Sequence, residues 1–124
     1  MENEKTTYIG WDPIADAAAA LGAISARGVR VQEGWYQADL RRLHVTLWML
    51  EHSPEDASDD ECDAETARVQ INVWSDRDEV ALMREIITLM RAAGWGWEES
   101  FTKTDPENRR RLQAARFEKT KNLI

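Results

Sequence analysis

Two histidines, His44 and His52, stand eight residues apart with Ser53 and Asp56 close by, residue types that could supply a base, a nucleophile and an orienting acid. Such a set is defined by geometry in space, and the chain has no G-x-S-x-G turn to present a serine, so both histidines read as surface or interface residues. Cys62 is the only cysteine, which excludes an internal disulfide and a four-cysteine zinc site. The negative charges of Asp60, Glu61 and Asp63 disfavour its thiolate, so it does not read as a nucleophile. The run EHSPEDASDDECDAE, residues 51–65, carries eight acidic residues and no Lys or Arg. It lacks the Asp-x-Asp-x-Asp-Gly spacing of an EF-hand and reads as a solvated loop or an interaction segment. Gly94 and Gly96 in GWGW are followed by no Lys-Ser/Thr pair, so a phosphate loop is not indicated. No catalytic set, metal site or cofactor is expected from these residues.

The residues that remain are suited to contact rather than chemistry. Arg109, Arg110 and Arg111 alternate sides in a strand and cannot all reach one phosphate backbone; with a net charge of −7, no specific nucleic-acid binding is expected. An acidic protein rim suits them equally well. Residues 103–124 hold seven basic residues against three acidic ones, so this segment and the 51–65 run have opposite signs. Of the six tryptophans, Trp48 and Trp74 fall on strand faces opposite the Val/Leu/Ile rows, where tryptophan offers a large contact area at little entropic cost. The expected interface is therefore Trp48, Trp74, Asp59, Asp60, Glu61, Arg109, Arg110 and Arg111.

These residues must be held by regular elements. Asp12 and Pro13 suit a helix start, Ile14, Ala17, Ala18, Leu21 and Ile24 recur at helical spacing, and Gly28 supplies a stop, predicting a helix over 13–27. Residues 29–37 show a short alternation broken at Gly34, which reads as a strand or as an extended loop with a bulge. Leu43, Val45, Leu47 and Met49 alternate with His44, Thr46, Trp48 and Leu50, and Val69, Ile71 and Val73 alternate with Gln70, Asn72 and Trp74, predicting two strands. The strand ends abruptly at Trp74 because Ser75-x-x-Asp78 and Asp76-x-x-Glu79 approximate capping boxes for a helix over 79–93. A hairpin over 95–119 follows, turning at Pro106 and Asn108; Leu112, Ala115 and Phe117 differ in parity, so either a bulge or a different register is expected there. The sum is an α+β fold: a mainly antiparallel sheet of about four to five strands with two helices packed on one face. At 124 residues one domain is expected, with an acidic loop over about 52–66 and a C-terminal arm over about 119–124. No apolar run is long enough to span a bilayer and the N-terminus lacks the order of a signal peptide, so a cytoplasmic site of synthesis and no membrane association are expected.

From about Leu40 onward, HVTLWMLE, a polar loop, ARVQINVWSDRDEVALMREIITLMRAAGW, an aromatic strand, an Asp-Pro turn and ARFEKT resemble the tail terminator proteins of long-tailed phages, also called tail completion or tail-to-head joining proteins. The resemblance implies a virion protein at the tail–neck junction, forming a ring, typically of six copies, that caps the tail tube and meets the head-neck connector. It implies structural partners, a homo-oligomer together with the tail tube protein and the connector, and no catalysis. It supplies no single-residue roles; segments 43–50, 68–74, 79–93 and 109–117 carry it. A head-completion adaptor and an acidic inhibitor protein are the alternatives.

Overall fold

The structure, a computed structural model, describes residues 10–35, 42–55, 64–105, 107 and 110–123. It is an α+β fold in which a five-stranded mixed sheet is combined with three helices among the described residues. The chain order is α1 (Pro13–Ala20), α2 (Gly22–Ser25), β1 (Arg30–Glu33), β2 (His44–Glu55), β3 (Ala64–Ser75), α3 (Val80–Ala92), β4 (Gly96–Asp105) and β5 (Arg110–Asn122). Across the sheet the strands run β1-β2-β3-β5-β4. Three of the four pairings are antiparallel; β1 alone runs parallel to its neighbour, Arg30 lying opposite His44. A hairpin between the first two strands is therefore ruled out, because the chain must return from Gly34 to Leu43 before β2 starts.

The first helix starts as its sequence predicts and ends early. The Asp12 side chain accepts the Ala15 N–H at 3.1 Å and Pro13 occupies the first turn. The helix then tightens at Leu21, whose carbonyl accepts the Ile24 N–H at 3.0 Å, and Gly22 opens the short α2. Glycine loses the most backbone freedom on ordering, so a break beside it costs little. Gly28, at φ 91°, ends the second piece as expected.

The helix after β3 spans Val80–Ala92, but no capping box forms, and Glu79 at its N-cap makes no side-chain cap bond. Ser75 is still paired in the sheet, opposite Arg111, so its hydroxyl organises the turn instead: it donates to Glu79 Oε2 at 2.9 Å and accepts the Arg77 N–H at 3.3 Å. The backbone N–H of Glu79 is satisfied from outside the helix, by Gln113 Oε1 of β5 at 2.5 Å.

Strand alternation divides β3 between two environments. Ala67, Val69, Ile71 and Val73 join Val45, Leu47, Ala115 and Phe117 in one apolar cluster with Ala17, Leu21, Ile24, Met83, Ile86, Met90 and Trp95 from the helices and the turn after α3. The ladder puts Val45 opposite Val73, Leu47 opposite Ile71, Ile71 opposite Ala115 and Val69 opposite Phe117, so the apolar rows of three strands coincide. Trp74, Leu112 and Ala114 form a second, smaller cluster with Phe101 packed on it. This resolves the parity of β5 without a bulge: Leu112 belongs to the second cluster, Ala115 and Phe117 to the first, and the register with β3 is unbroken from Ser75/Arg111 to Ala64/Asn122. The irregularities lie elsewhere, in β2 between Met49 and Glu51 and in β4 between Trp97 and Glu99.

Two boundaries differ from the sequence expectation. Residues 52–55 and 64–66, expected in the acidic loop, are paired strand, while residues 56–63 lie outside the described ones. Lys119, Thr120, Lys121 and Asn122, expected in an arm, pair with residues 64–67. Polar residues persist in these strands because they satisfy one another; the hydroxyls of Thr66 and Thr120, for instance, meet across the ladder at 2.7 Å.

Candidate interaction surface

The sheet positions a tryptophan cluster on the side carrying His44, Thr46 and Trp48. Trp74 is only 1% exposed, which corrects the expectation of a surface contact at this position. Its indole N–H donates to Thr46 Oγ1 at 3.0 Å, His44 stacks on it with ring centroids 6.4 Å apart, and Trp35 meets it edge-on at 4.9 Å. Trp35 follows Gly34, whose φ of 125° suits glycine and whose N–H donates to the Leu47 carbonyl at 2.9 Å, fixing the chain beside β2 as it turns. Trp35 also meets Trp48 edge-to-face at 4.9 Å. Trp35 (43%) and Trp48 (47%) remain exposed, so the surface patch is the pair Trp35 and Trp48, with Trp35 resting on a buried Trp74. Exposed apolar groups joined in this way mark contact sites more often than scattered ones do.

Beneath the patch lies a chain of polar side chains. Gln70 Nε2 donates to Asn72 Oδ1 at 2.7 Å, Asn72 Nδ2 donates to Thr46 Oγ1 at 3.2 Å, and Arg116 Nε donates to Gln70 Oε1 at 2.9 Å. Arg116 continues outward to Glu99 at 3.1 Å and lies over the Phe101 ring, 5.3 Å from its centroid. Gln70 and Asn72 are thus not the outward-facing residues their alternation suggests; they are buried and bonded to one another. A buried network costs little when its members satisfy one another, and it fixes which rotamers and which register the sheet adopts.

Of the charged candidates the described residues include Arg110 and Arg111, both at the start of β5. Arg111 lies opposite Ser75 and forms an ion pair with Asp78 at 2.7 Å. Arg110 lines an open groove of about 360 Å³ with Arg42, Arg77, Asp76 and Glu79, a lining of mixed sign. Arg109, Asp59, Asp60 and Glu61 lie outside the described residues. At the opposite end of β3, Ala64 pairs with Glu55 and Asn122. A twelve-residue strand is roughly 37 Å from first to last residue at about 3.4 Å per step, so Arg111, opposite Ser75, is far from the Ala64 end, where Lys119 and Lys121 of β5 stand opposite Ala67 and Glu65.

A second network closes the end near Ala64. The bulge after Met49 shifts the parity of β2, so His52 falls opposite Ala67, on the side of the main core, rather than in line with His44, Thr46 and Trp48. There His52 Nε2 donates to Glu65 Oε1 at 2.6 Å, and the Gly10 N–H donates to Glu65 Oε2 at 2.8 Å. Neither histidine is therefore a surface residue: His44 is fully buried, its Nδ1 donating to the Arg42 carbonyl at 3.0 Å, and His52 is partly buried in this pair. Trp11 adds an edge contact to His52 at 6.0 Å. Asp16 of α1 accepts from the indole N–H groups of Trp11 (3.0 Å) and Trp95 (3.1 Å) and from Lys119 Nζ (2.8 Å). Lys119 also donates to the Ala93 carbonyl at 2.7 Å and lies 5.9 and 5.8 Å from the Trp11 and Trp95 rings. Burial pushes the Asp16 carboxyl pKa up, but the bonds from Lys119, Trp11 and Trp95 and the Lys119 charge outweigh it and hold the pKa below the usual carboxylate value.

Among the expected interface residues, then, only Trp48 stands on the exposed aromatic patch, and its companion is Trp35. The available signal for Trp35 was the step from a short strand through glycine to a large aromatic; the parity of β2 pointed at Trp74 instead.

No protein-family model matches the sequence, and no curated protein matches it. Among solved structures the fold is similar to that of a chain in the virion of a native gene transfer agent particle. The TM-score is 0.58 at 15% sequence identity, and the match covers 88% of this chain and 93% of that one.

Proposed function

We propose that the protein is a structural component of a phage-type virion, a tail terminator: a ring, of six copies, that caps the tail tube and offers the surface on which the head-neck connector docks. The observation that carries this reading is the likeness of fold, along nearly the whole of both chains, to a chain of a gene transfer agent virion. The family resemblance of the segments around β2, β3, α3 and β5 points the same way.

The surface supports a protein built for assembly. Trp35 and Trp48 present two exposed indoles packed edge-to-face, with Trp35 also packed on the buried Trp74, so less side-chain entropy remains to be lost on contact. A closed ring uses two different surfaces of each subunit, and a chain that carries an acidic run over 51–65 and a basic excess over 103–124 offers surfaces of opposite sign for such contacts. In this reading the Trp35/Trp48 patch is one contact surface, and Arg109, Arg110 and the acidic residues Asp59, Asp60 and Glu61 are the charged ones.

The test is to mix the purified chain with tail tubes and, separately, with portal complexes, and to image both by electron microscopy. Rings of six at tube ends, lost in a Trp48→Ala variant that still folds, are the expected result. Binding to portal complexes alone would favour a head-completion adaptor, and a chain that neither forms rings nor binds either structure would overturn the reading. Charge reversal at Arg109 and Arg110 should weaken assembly, more so at low salt.

A further inference from the structure

The edge of the sheet formed by β4 carries an inference independent of the ring. Among the described residues β4 pairs with β5 alone, so the other edge of a ten-residue strand bears backbone groups that no described strand pairs. Edge strands are commonly blunted by proline, by bulges or by charge. In β4 the bulge lies near the start, between Trp97 and Glu99, and residues 99–105 then run in unbroken register with no proline.

The side chains of that run are self-complementary. Glu99, Phe101 and Lys103 lie opposite Arg116, Ala114 and Leu112, and so share the side of the sheet that carries Trp74; Ser100 and Thr102 point the other way. If a second copy is laid antiparallel along this edge with Phe101 opposite Phe101, each Glu99 falls opposite the Lys103 of the other copy, and each Ser100 falls opposite a Thr102. The register keeps parity, joins the two phenyl rings at the centre and sets two opposite-charge pairs around them, which are the cross-strand pairings that stabilise antiparallel sheets. Lys103, alone a deterrent to pairing, is matched in this register by a carboxylate.

We propose that β4 is a docking edge for a second copy of this chain, forming a twofold antiparallel β4–β4 pair centred on Phe101. The contact is isologous and so differs from the head-to-tail contacts that close a ring. It pairs two subunits before assembly or joins one ring to another, and it stands or falls apart from the terminator reading.

Sedimentation equilibrium of the full chain and of two Lys103 variants tests it. The wild type and Lys103→Arg should dimerise with similar affinity, and Lys103→Glu, which sets Glu99 against a carboxylate twice in the dimer, should weaken dimerisation about tenfold or more. Register is read separately in a Cys62→Ser background: Ser100→Cys mixed with Thr102→Cys should form a disulfide-linked heterodimer under mild oxidation, whereas either variant alone should not. Self-association unchanged by Lys103→Glu, a wild type without a twofold species, or no cross-link in the mixture would overturn the proposal.

Discussion

Replacing Asp16 by Asn should destabilise the protein by about 3 kcal/mol, the lower end of the range for removing one partner of a buried ion pair. The pair is largely but not wholly buried, with 16% of each side chain exposed, and Lys119 retains the Ala93 carbonyl and two indole faces, which is why the lower end applies. Asn keeps the volume of Asp but can accept only through its amide oxygen, so at least one of the three donors from Trp11, Trp95 and Lys119 is left without its acceptor. For a chain of this length, about 4 °C of melting temperature per kcal/mol gives a fall of about 12 °C. Urea denaturation followed by tryptophan fluorescence is the assay, since two of the indoles report on the site directly. A double-mutant cycle with Lys119→Met isolates the pair, and a coupling of about 2 kcal/mol is expected from removing the stranded cation. The pH dependence has a definite sign. The folded pKa of Asp16 lies below its ordinary value, so the stability it contributes is present in full above the unfolded pKa and is lost as pH falls through the folded one. The gap between wild type and Asp16→Asn should therefore hold at neutral pH and close only below about pH 4. A melting temperature within about 3 °C of wild type, or a gap that closes near neutrality, would refute the account of Asp16 as the acceptor that unites the first helix with β5.

Thr46→Val keeps the shape of the side chain but removes the oxygen that accepts from both Asn72 and Trp74; a loss of about 2–3 kcal/mol in urea denaturation is expected from two buried donors left unpaired. Trp48→Ala should change stability by less than about 1 kcal/mol, since the ring is nearly half exposed, while abolishing ring assembly on tail tubes; a large drop in stability would mean that the patch is structural. Inserting one alanine after Leu50 adds a residue beyond the β2 bulge and turns residues 51–55 over. His52 would then leave Glu65, and the variant should melt well below wild type, with amide exchange accelerated first at residues 64–67.

Much of this fold is legible in the period of the apolar residues. Val45, Leu47, Val69, Ile71 and Val73 have a strand period and are the buried rows, and Asp12-Pro13 and Gly28 are the punctuation they resemble. What alternation could not supply is the character of the other side of the sheet. Gln70, Asn72 and Trp74 read as outward because polar residues usually are, yet here the polar atoms bond one another and Trp35 covers Trp74; that depends on a parallel β1, a pairing that leaves no mark in the sequence of either strand. The same is true of the long strand ends. The density of charge from residue 51 onward suggested a loop, whereas Glu65 is paired by His52 and Gly10, contacts that appear only once the bulge has turned His52 over.

The two polar networks lie on opposite sides of the sheet and on opposite sides of that bulge, and this relation bears on what they are for. Thr46, Asn72 and Trp74 require β2 and β3 to pair in one register before Met49; His52 and Glu65 require a register displaced by one residue after it. A slip of the whole strand by one residue would satisfy neither, exposing buried donors on one side and a buried carboxylate on the other, whereas the Val, Ile and Leu rows alone would tolerate a two-residue slip with little change in apolar contact. Burying polar groups adds little stability over a well-packed apolar equivalent, so these networks are better understood as fixing a single alignment of two twelve-residue strands. An assembly subunit needs that more than it needs extra stability, because Trp35, Trp48 and the β4 edge present matching surfaces to identical copies only if every copy holds the same register.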